Sequence, residues 1–230
     1  MKIRPFLYVL VAFSLLLGGC HARKLPEEKP ATELVADGQK KFDARDYVTA
    51  ITDFQRVKDW YPFSDLVPTA ELKIAEARYK LRQYDEAATA YEDFANLHPR
   101  NPSTPYALYQ AGRCYFDQLA TIDLDQEKAK KALDSFKQFV ARYPHSAYTA
   151  LARAHIIDCE RNLASHELLI AKFYFKRKNY KAALMRFRRV LSQYPDAGVQ
   201  YIALQYLSKC EALSKAEGSA LPQPGPVAIK

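Results

Sequence analysis

One spacing pattern limits what this chain can fold into more than any other feature. Phe42, Tyr47, Ala50, Phe54, Val57 and Pro62 stand at offsets 0, 5, 8, 12, 15 and 20. Tyr79, Tyr84, Ala87, Tyr91, Phe94 and Pro99 fill the same offsets, and so do Phe175, Tyr180, Ala183, Phe187, Val190 and Pro195. Ala132, Phe136, Phe139 and Pro144 fit as a further copy that starts at Phe116 and carries an eight-residue insertion at 121–128. Four residues before each start lies a small residue: Gly38, Ala75, Gly112 or Ala171. Ala, aromatic and Val/Phe at i, i+4 and i+7 make one helical face, and the proline ends that helix. Each copy therefore predicts two helices, brought close by the small residue. With seven glycines in 230 residues and no phosphate-cradling motif, a glycine-looped nucleotide fold is excluded.

The pattern resembles the tetratricopeptide repeat, a helix–turn–helix unit of about 34 residues that stacks into a superhelix. The prolines are 37, 45 and 51 residues apart, so the array is irregular. The last interval exceeds the first by nearly four helical turns, which keeps the buried face in phase. Residues 146–194 hold no Gly, and no Pro breaks them, so one long helix is expected from Ser146 to about Lys178, with Ser165 the place for a kink. A last helix over 199–217 would cap the stack. The expectation is an all-α tetratricopeptide solenoid over 33–217, with about four repeats and a C-terminal capping helix.

Before the solenoid, Lys2 and Arg4 precede an apolar run from Phe6 to Leu17 and then Leu17-Gly-Gly-Cys20. A basic start, a short apolar run and small residues describe a secretory signal peptide over 1–19, too short to span a bilayer. Leu-Gly-Gly-Cys also resembles the bacterial lipobox, which implies that Cys20 is acylated and becomes the first mature residue. His21 in place of aspartate then implies sorting to the outer membrane. Residues 20–32 read as the lipidated cysteine and a flexible spacer, and 218–230, rich in proline without apolar phase, as a disordered tail.

Cys114, Cys159 and Cys210 each lie 15 residues after a repeat proline, so they are one repeat position and predict three buried thiols rather than a bridge. The five histidines show no metal-ligand spacing, and no nucleophile–base pair stands out. The expectation is a non-enzymatic binding protein with no metal and no cofactor beyond the lipid on Cys20.

Two features point to where binding occurs. Residues 20–164 carry 21 basic and 22 acidic groups, whereas 165–217 carry 10 basic and 4 acidic, net +6. An acidic protein partner, or anionic lipid, suits that block outside the cytoplasm, and nucleic acid does not. The second feature is Trp60-Tyr61-Pro62-Phe63, three aromatics around a helix-ending proline.

The lipobox, the spacer, a first repeat ending Tyr-Pro-Phe, and Phe173-Tyr-Phe-Lys-Arg with Tyr180, Arg186 and Tyr194-Pro-Asp196 together resemble the BamD family of the outer-membrane barrel-assembly machinery. The resemblance implies a lipid-anchored scaffold on the periplasmic face of the outer membrane. Its C-terminal repeats would grip the last POTRA domain of the barrel insertase BamA, and its N-terminal repeats would take C-terminal signals of unfolded barrel proteins. It also implies that Phe173, Tyr174, Arg177 and Arg186 meet the POTRA domain, Arg186 through an acidic group. Arg186 is expected at the edge of the apolar stripe of its helix, its stem packed and its guanidinium directed outward. Tyr61 stands where the family has a groove aromatic, and Phe63 and Tyr79 are expected to join it on client segments. The short insertion departs from members that carry a long one near a companion assembly lipoprotein, which puts that further partner in doubt. The competing expectation is another repeat-containing envelope lipoprotein, such as a secretin pilotin or an envelope-maintenance adaptor.

Overall fold

The computed structural model describes residues 29–220, with side chains through Lys215, so Cys20, the leader over 1–19 and most of the tail lie outside the described residues. Among the described residues nine α-helices follow one another: α1 (Ala31–Asp43), α2 (Tyr47–Trp60), α3 (Val67–Lys80), α4 (Tyr84–Leu97), α5 (Thr104–Phe116), α6 (Glu127–Arg142), α7 (Thr149–Lys176), α8 (Tyr180–Gln193) and α9 (Gln200–Ala220). Each packs chiefly on the helix before it and the helix after it, the neighbour-only pattern of a solenoid. The fold is an all-α tetratricopeptide array of four helix pairs closed by α9.

Packing explains the spacing. Ala50, Phe54 and Val57 are fully buried on α2, as are Ala183, Phe187 and Val190 on α8. A Cβ on Gly38 would lie 2.9 Å from the Phe54 ring, and one on Gly112 would lie 2.8 Å from the Phe136 ring. The small residue is therefore the seat of the partner helix's aromatic. The residues at offsets 0 and 5 meet edge to face: Phe42 on Tyr47 at 5.1 Å, Tyr79 on Tyr84 at 5.5 Å and Phe175 on Tyr180 at 5.6 Å. Between each such pair the chain turns through one left-handed residue, Arg45, Arg82 or Lys178, with φ near +60°. Paired backbone bonds close the helix there, for example Lys178 N to Phe175 O at 3.0 Å and Asn179 N to Tyr174 O at 3.0 Å, the Schellman arrangement.

The proline turns are equally uniform. Tyr61, His98, Tyr143 and Tyr194 cap the second helices with φ between −123° and −133°, as a residue before proline must stay out of the helical region. Thr104 Oγ1 then donates to His98 O at 2.6 Å, and Thr149 Oγ1 to Tyr143 O at 2.7 Å, which fastens the start of the next pair.

The third pair departs where the insertion falls. Residues 117–126 link α5 to α6, so the last two positions of the expected insertion are helical. The Gln126 amide donates to the carbonyls of Thr121 and Leu124, while Asn162 and His166 of α7 bond those of Ala120 and Ile122. Phe116 lacks an edge-on partner at offset 5 and packs instead on His155 of α7, 4.2 Å between ring centres.

The long helix is one helix. α7 runs without interruption through Ser165, although it starts at Thr149 and ends at Lys176, inside the expected limits. Its first half, with Ala152, Cys159 and Leu163, packs on Phe136 of α6; its second half, with Leu168 and Ala171, packs on Phe187 of α8. The fourth pair is thus displaced by about 21 Å along a shared helix. The capping helix continues three residues beyond the expected end at 217. Cys114, Cys159 and Cys210 are buried free thiols in three separate clusters, and burial pushes the first two up to about 12.

Candidate partner-binding surfaces

The basic C-terminal block takes shape on the second half of α7 and on α8. Leu169, Ile170, Phe173 and Tyr174 occupy two successive turns of α7 and line a shallow apolar depression. Phe173 is 53% exposed, meets Tyr174 edge to face at 5.7 Å, and carries the Arg177 guanidinium 5.3 Å above its ring. An exposed aromatic under an arginine is a surface that gains on burial by a partner, through both area and cation–π attraction. Phe173, Tyr174 and Arg177 therefore form one patch.

Arg186 is placed differently from the expectation. Its Nη1 donates to both carboxylate oxygens of Glu167 on α7, at 2.9 Å and 3.2 Å, and Arg189 Nη1 adds a third bond at 3.2 Å. The guanidinium is turned back onto its own fold. The reason lies in the wheel: the edge of the apolar stripe that lets Arg186 pack its stem also faces α7, where Glu167 is only 14% exposed. Glu167 and Tyr174 are seven residues apart on one α7 face, so Arg186 lies roughly two turns, or about 10 Å, from the Phe173–Arg177 patch. Sequence reasoning missed Glu167, one of only four acids in a block of ten bases; that scarcity was the available signal.

The three aromatics expected to share a client groove do not form one patch. Tyr61 packs with the α1–α2 core, and its hydroxyl donates to Lys29 O at 2.9 Å. Phe63, at the tip of the same turn, is 100% exposed, and Trp60 beside it is 38% exposed with Arg56 over its ring. Tyr79 sits at the far end of α3, about 18 Å from the turn by helical rise. There its hydroxyl donates to Asp117 and accepts from Arg113 Nη2 at 2.9 Å, which ties the second pair to the third. Burial and the Asp117 carboxylate hold that phenol well above its ordinary range. The resemblance suggested one groove; a 14-residue helix separates its ends.

Among the described residues no group of acids, histidines and cysteines is placed to hold a metal ion, and no helix is long and apolar enough to cross a membrane. What these surfaces offer is aromatic area and positive charge. Residues 27–218 match the family model for YfiO, outer membrane lipoprotein.

The chain belongs to the YfiO family of outer membrane lipoproteins. It is similar to the outer membrane protein assembly factor BamD of Rickettsia prowazekii, with 31% identity covering 84% of this chain and 78% of that protein. BamD of Caulobacter vibrioides is 33% identical over 81% of this chain and 62% of its own length. BamD of Pasteurella multocida is 31% identical over 90% of this chain and 84% of its own. Superposition on the TPR2AB domain of yeast Sti1 is loose, with a TM-score of 0.45 and 16% identity over 83% of this chain and 73% of that one. Membership of the YfiO family therefore rests on sequence, and the fold class on the helix pairing itself.

Proposed function

We propose that this YfiO-family chain is a non-enzymatic scaffold for the assembly of outer-membrane barrel proteins, held at the periplasmic face of the outer membrane by a lipid on Cys20. The relatives named as assembly factors support the process, and the Leu-Gly-Gly-Cys20 sequence supports the anchor. Its partner through α7 and α8 is the last POTRA domain of the insertase BamA, and unfolded barrel proteins are its clients. One observation carries this reading: the Phe173–Tyr174–Arg177 patch lies on the same helix as the carboxylate that gathers Arg186 and Arg189. Apolar area beside a positive cluster suits a folded domain that presents an acidic rim.

Copurification from detergent-solubilised membranes tests the proposal. Recovery of a POTRA-bearing barrel with the wild-type chain, and its loss with Phe173→Ala plus Arg177→Ala, is the expected result. Recovery of a secretin instead would replace this reading with a pilotin.

A further inference from the structure

The four proline turns have the same geometry, so their tips can be compared directly. Each turn has a backbone bond from the residue after the tip to the helix-capping residue, as in Ser64 N to Tyr61 O at 3.0 Å, Asn101 N to His98 O at 3.0 Å and Ser146 N to Tyr143 O at 3.2 Å. The tips are Phe63, Arg100, His145 and Asp196. Three are polar, as a solvated turn requires. The first is a fully exposed phenylalanine, one turn from the half-exposed Trp60.

This turn is also the one joined to the start of the folded body. Tyr61, between the two exposed aromatics, holds the carbonyl of Lys29 through its hydroxyl. Lys29 is itself fixed by its ammonium, which bonds Asp37 at 2.6 Å and Glu33 at 2.9 Å. Lys29 is only nine chain steps from Cys20, a reach of at most about 32 Å when fully extended. A lipid on Cys20 therefore keeps the Trp60–Phe63 corner within a few nanometres of the bilayer at all times, and the corner is rigidly attached to the point where the tether begins.

We infer that Trp60 and Phe63 form a second membrane contact, resting in the headgroup layer of the leaflet that holds the Cys20 lipid. The inference rests on the lipid-anchor reading above. Tryptophan and phenylalanine are suited to that layer, and a tethered contact needs little intrinsic affinity because the tether supplies a high local concentration. The charges around the corner lean acidic: Arg56 and Lys58 are paired with Asp53 and Glu71, and Asp59 and Asp65 add two more carboxylates. The contact is accordingly apolar, draws nothing from anionic lipid, and is distinct from the basic surface on α7 and α8. Its consequence is orientation: the first repeat faces the lipid, and the solenoid leaves the surface from a fixed end.

Trp60 is the only tryptophan of the chain, so it reports its own environment. The test uses the full lipidated chain, reconstituted in vesicles of phosphatidylethanolamine and phosphatidylglycerol, with and without lipids brominated along the acyl chain. Trp60 emission is expected to shift to the blue and to be quenched by the brominated lipid, no less at high salt than at low. Phe63→Asp is expected to remove most of the quenching while the protein stays on the vesicles. Trp60→Phe combined with Leu97→Trp moves the reporter to the equivalent place in the second repeat, where no quenching is expected. Wild-type chain that floats with the vesicles but shows unquenched Trp60 overturns the inference and leaves the anchor intact. Quenching that is equal at positions 60 and 97 also overturns it. Wild-type chain that carries no lipid by mass and does not float overturns the anchor and the inference together. Trp60 that responds to an unfolded barrel protein and not to lipid assigns the corner to clients instead.

Discussion

Glu167 binds Arg186 through both of its carboxylate oxygens, so the arginine expected to reach for a partner is already held by its own fold. Only one nitrogen of the guanidinium makes these bonds, and an arginine has five N–H donors. A partner carboxylate can therefore add to the pair on another edge or displace Glu167. In the free chain, Arg186→Ala should lower stability by about 1 kcal/mol, since Glu167 keeps Arg189 alone. A double-mutant cycle of Arg186→Ala and Glu167→Gln in urea unfolding should show positive coupling, whereas additive effects would mean that the pair contributes nothing to the fold.

The close seat of each aromatic yields a prediction about packing. Gly112→Ala places a methyl against the Phe136 ring, and overpacking of this kind costs about 1–3 kcal/mol. Thermal unfolding should show the loss, and adding Phe136→Leu should recover part of it. If Gly112→Ala leaves the midpoint unchanged, the ring is free to move and the spacing has another origin.

His155 makes the stack sensitive to acid. Its ring lies against Phe116 and Phe136, its Nε2 meets the Tyr109 hydroxyl at 3.2 Å, and its Nδ1 is buried without a hydrogen-bond partner. Burial, reinforced by Arg113 and opposed by Asp158 and Asp117, lowers its pKa from 6.5. The unfolded chain thus takes up this proton more readily than the folded one. Stability is complete above pH 6.5 and is lost as pH falls from there toward the folded-state value. His155→Phe should flatten the profile of unfolding free energy between pH 7 and pH 5, while a slope unchanged by the substitution would assign it to other groups.

The left-handed turn residues carry a removable cost. Lys178 has a side chain at φ +60°, where only glycine is unstrained. Lys178→Gly should raise stability by up to about 1 kcal/mol, read as a higher urea midpoint with an unchanged slope. A lower midpoint would show that the lysine side chain contributes more than the backbone conformation costs.

The repeat marks were legible because each is a packing requirement that recurs: a small residue under a ring, two aromatics across a turn, a proline after a helix. Where a mark lost its partner, as Phe116 did when the insertion displaced offset 5, its new neighbour His155 could not be read from spacing. The length of α7 was legible from the absence of breakers over 146–194 and from an interval that preserves helical phase. The site was legible only in part. Phe173, Tyr174 and Arg177 fall together because neighbours within two turns of one helix must do so. Glu167 with Arg186, and Tyr79 with Arg113 and Asp117, join different helices, and those pairings depend on which turn faces which neighbour. The separation of Tyr79 from Phe63 follows from helix length, and it was the assumption of one groove that obscured it.

The central claim is that α7 and α8 grip an acidic face of the insertase's last POTRA domain. Calorimetric titration of the chain without its lipid against that isolated domain, at physiological salt, tests it most directly. Arg186→Glu should weaken binding at least about tenfold, or 1.4 kcal/mol, and Phe173→Ala should weaken it independently. An acidic-to-basic change on the partner should restore part of the loss caused by Arg186→Glu and none of that caused by Phe173→Ala. Equal affinity of wild type, Arg186→Glu and Phe173→Ala for the POTRA domain would contradict the account.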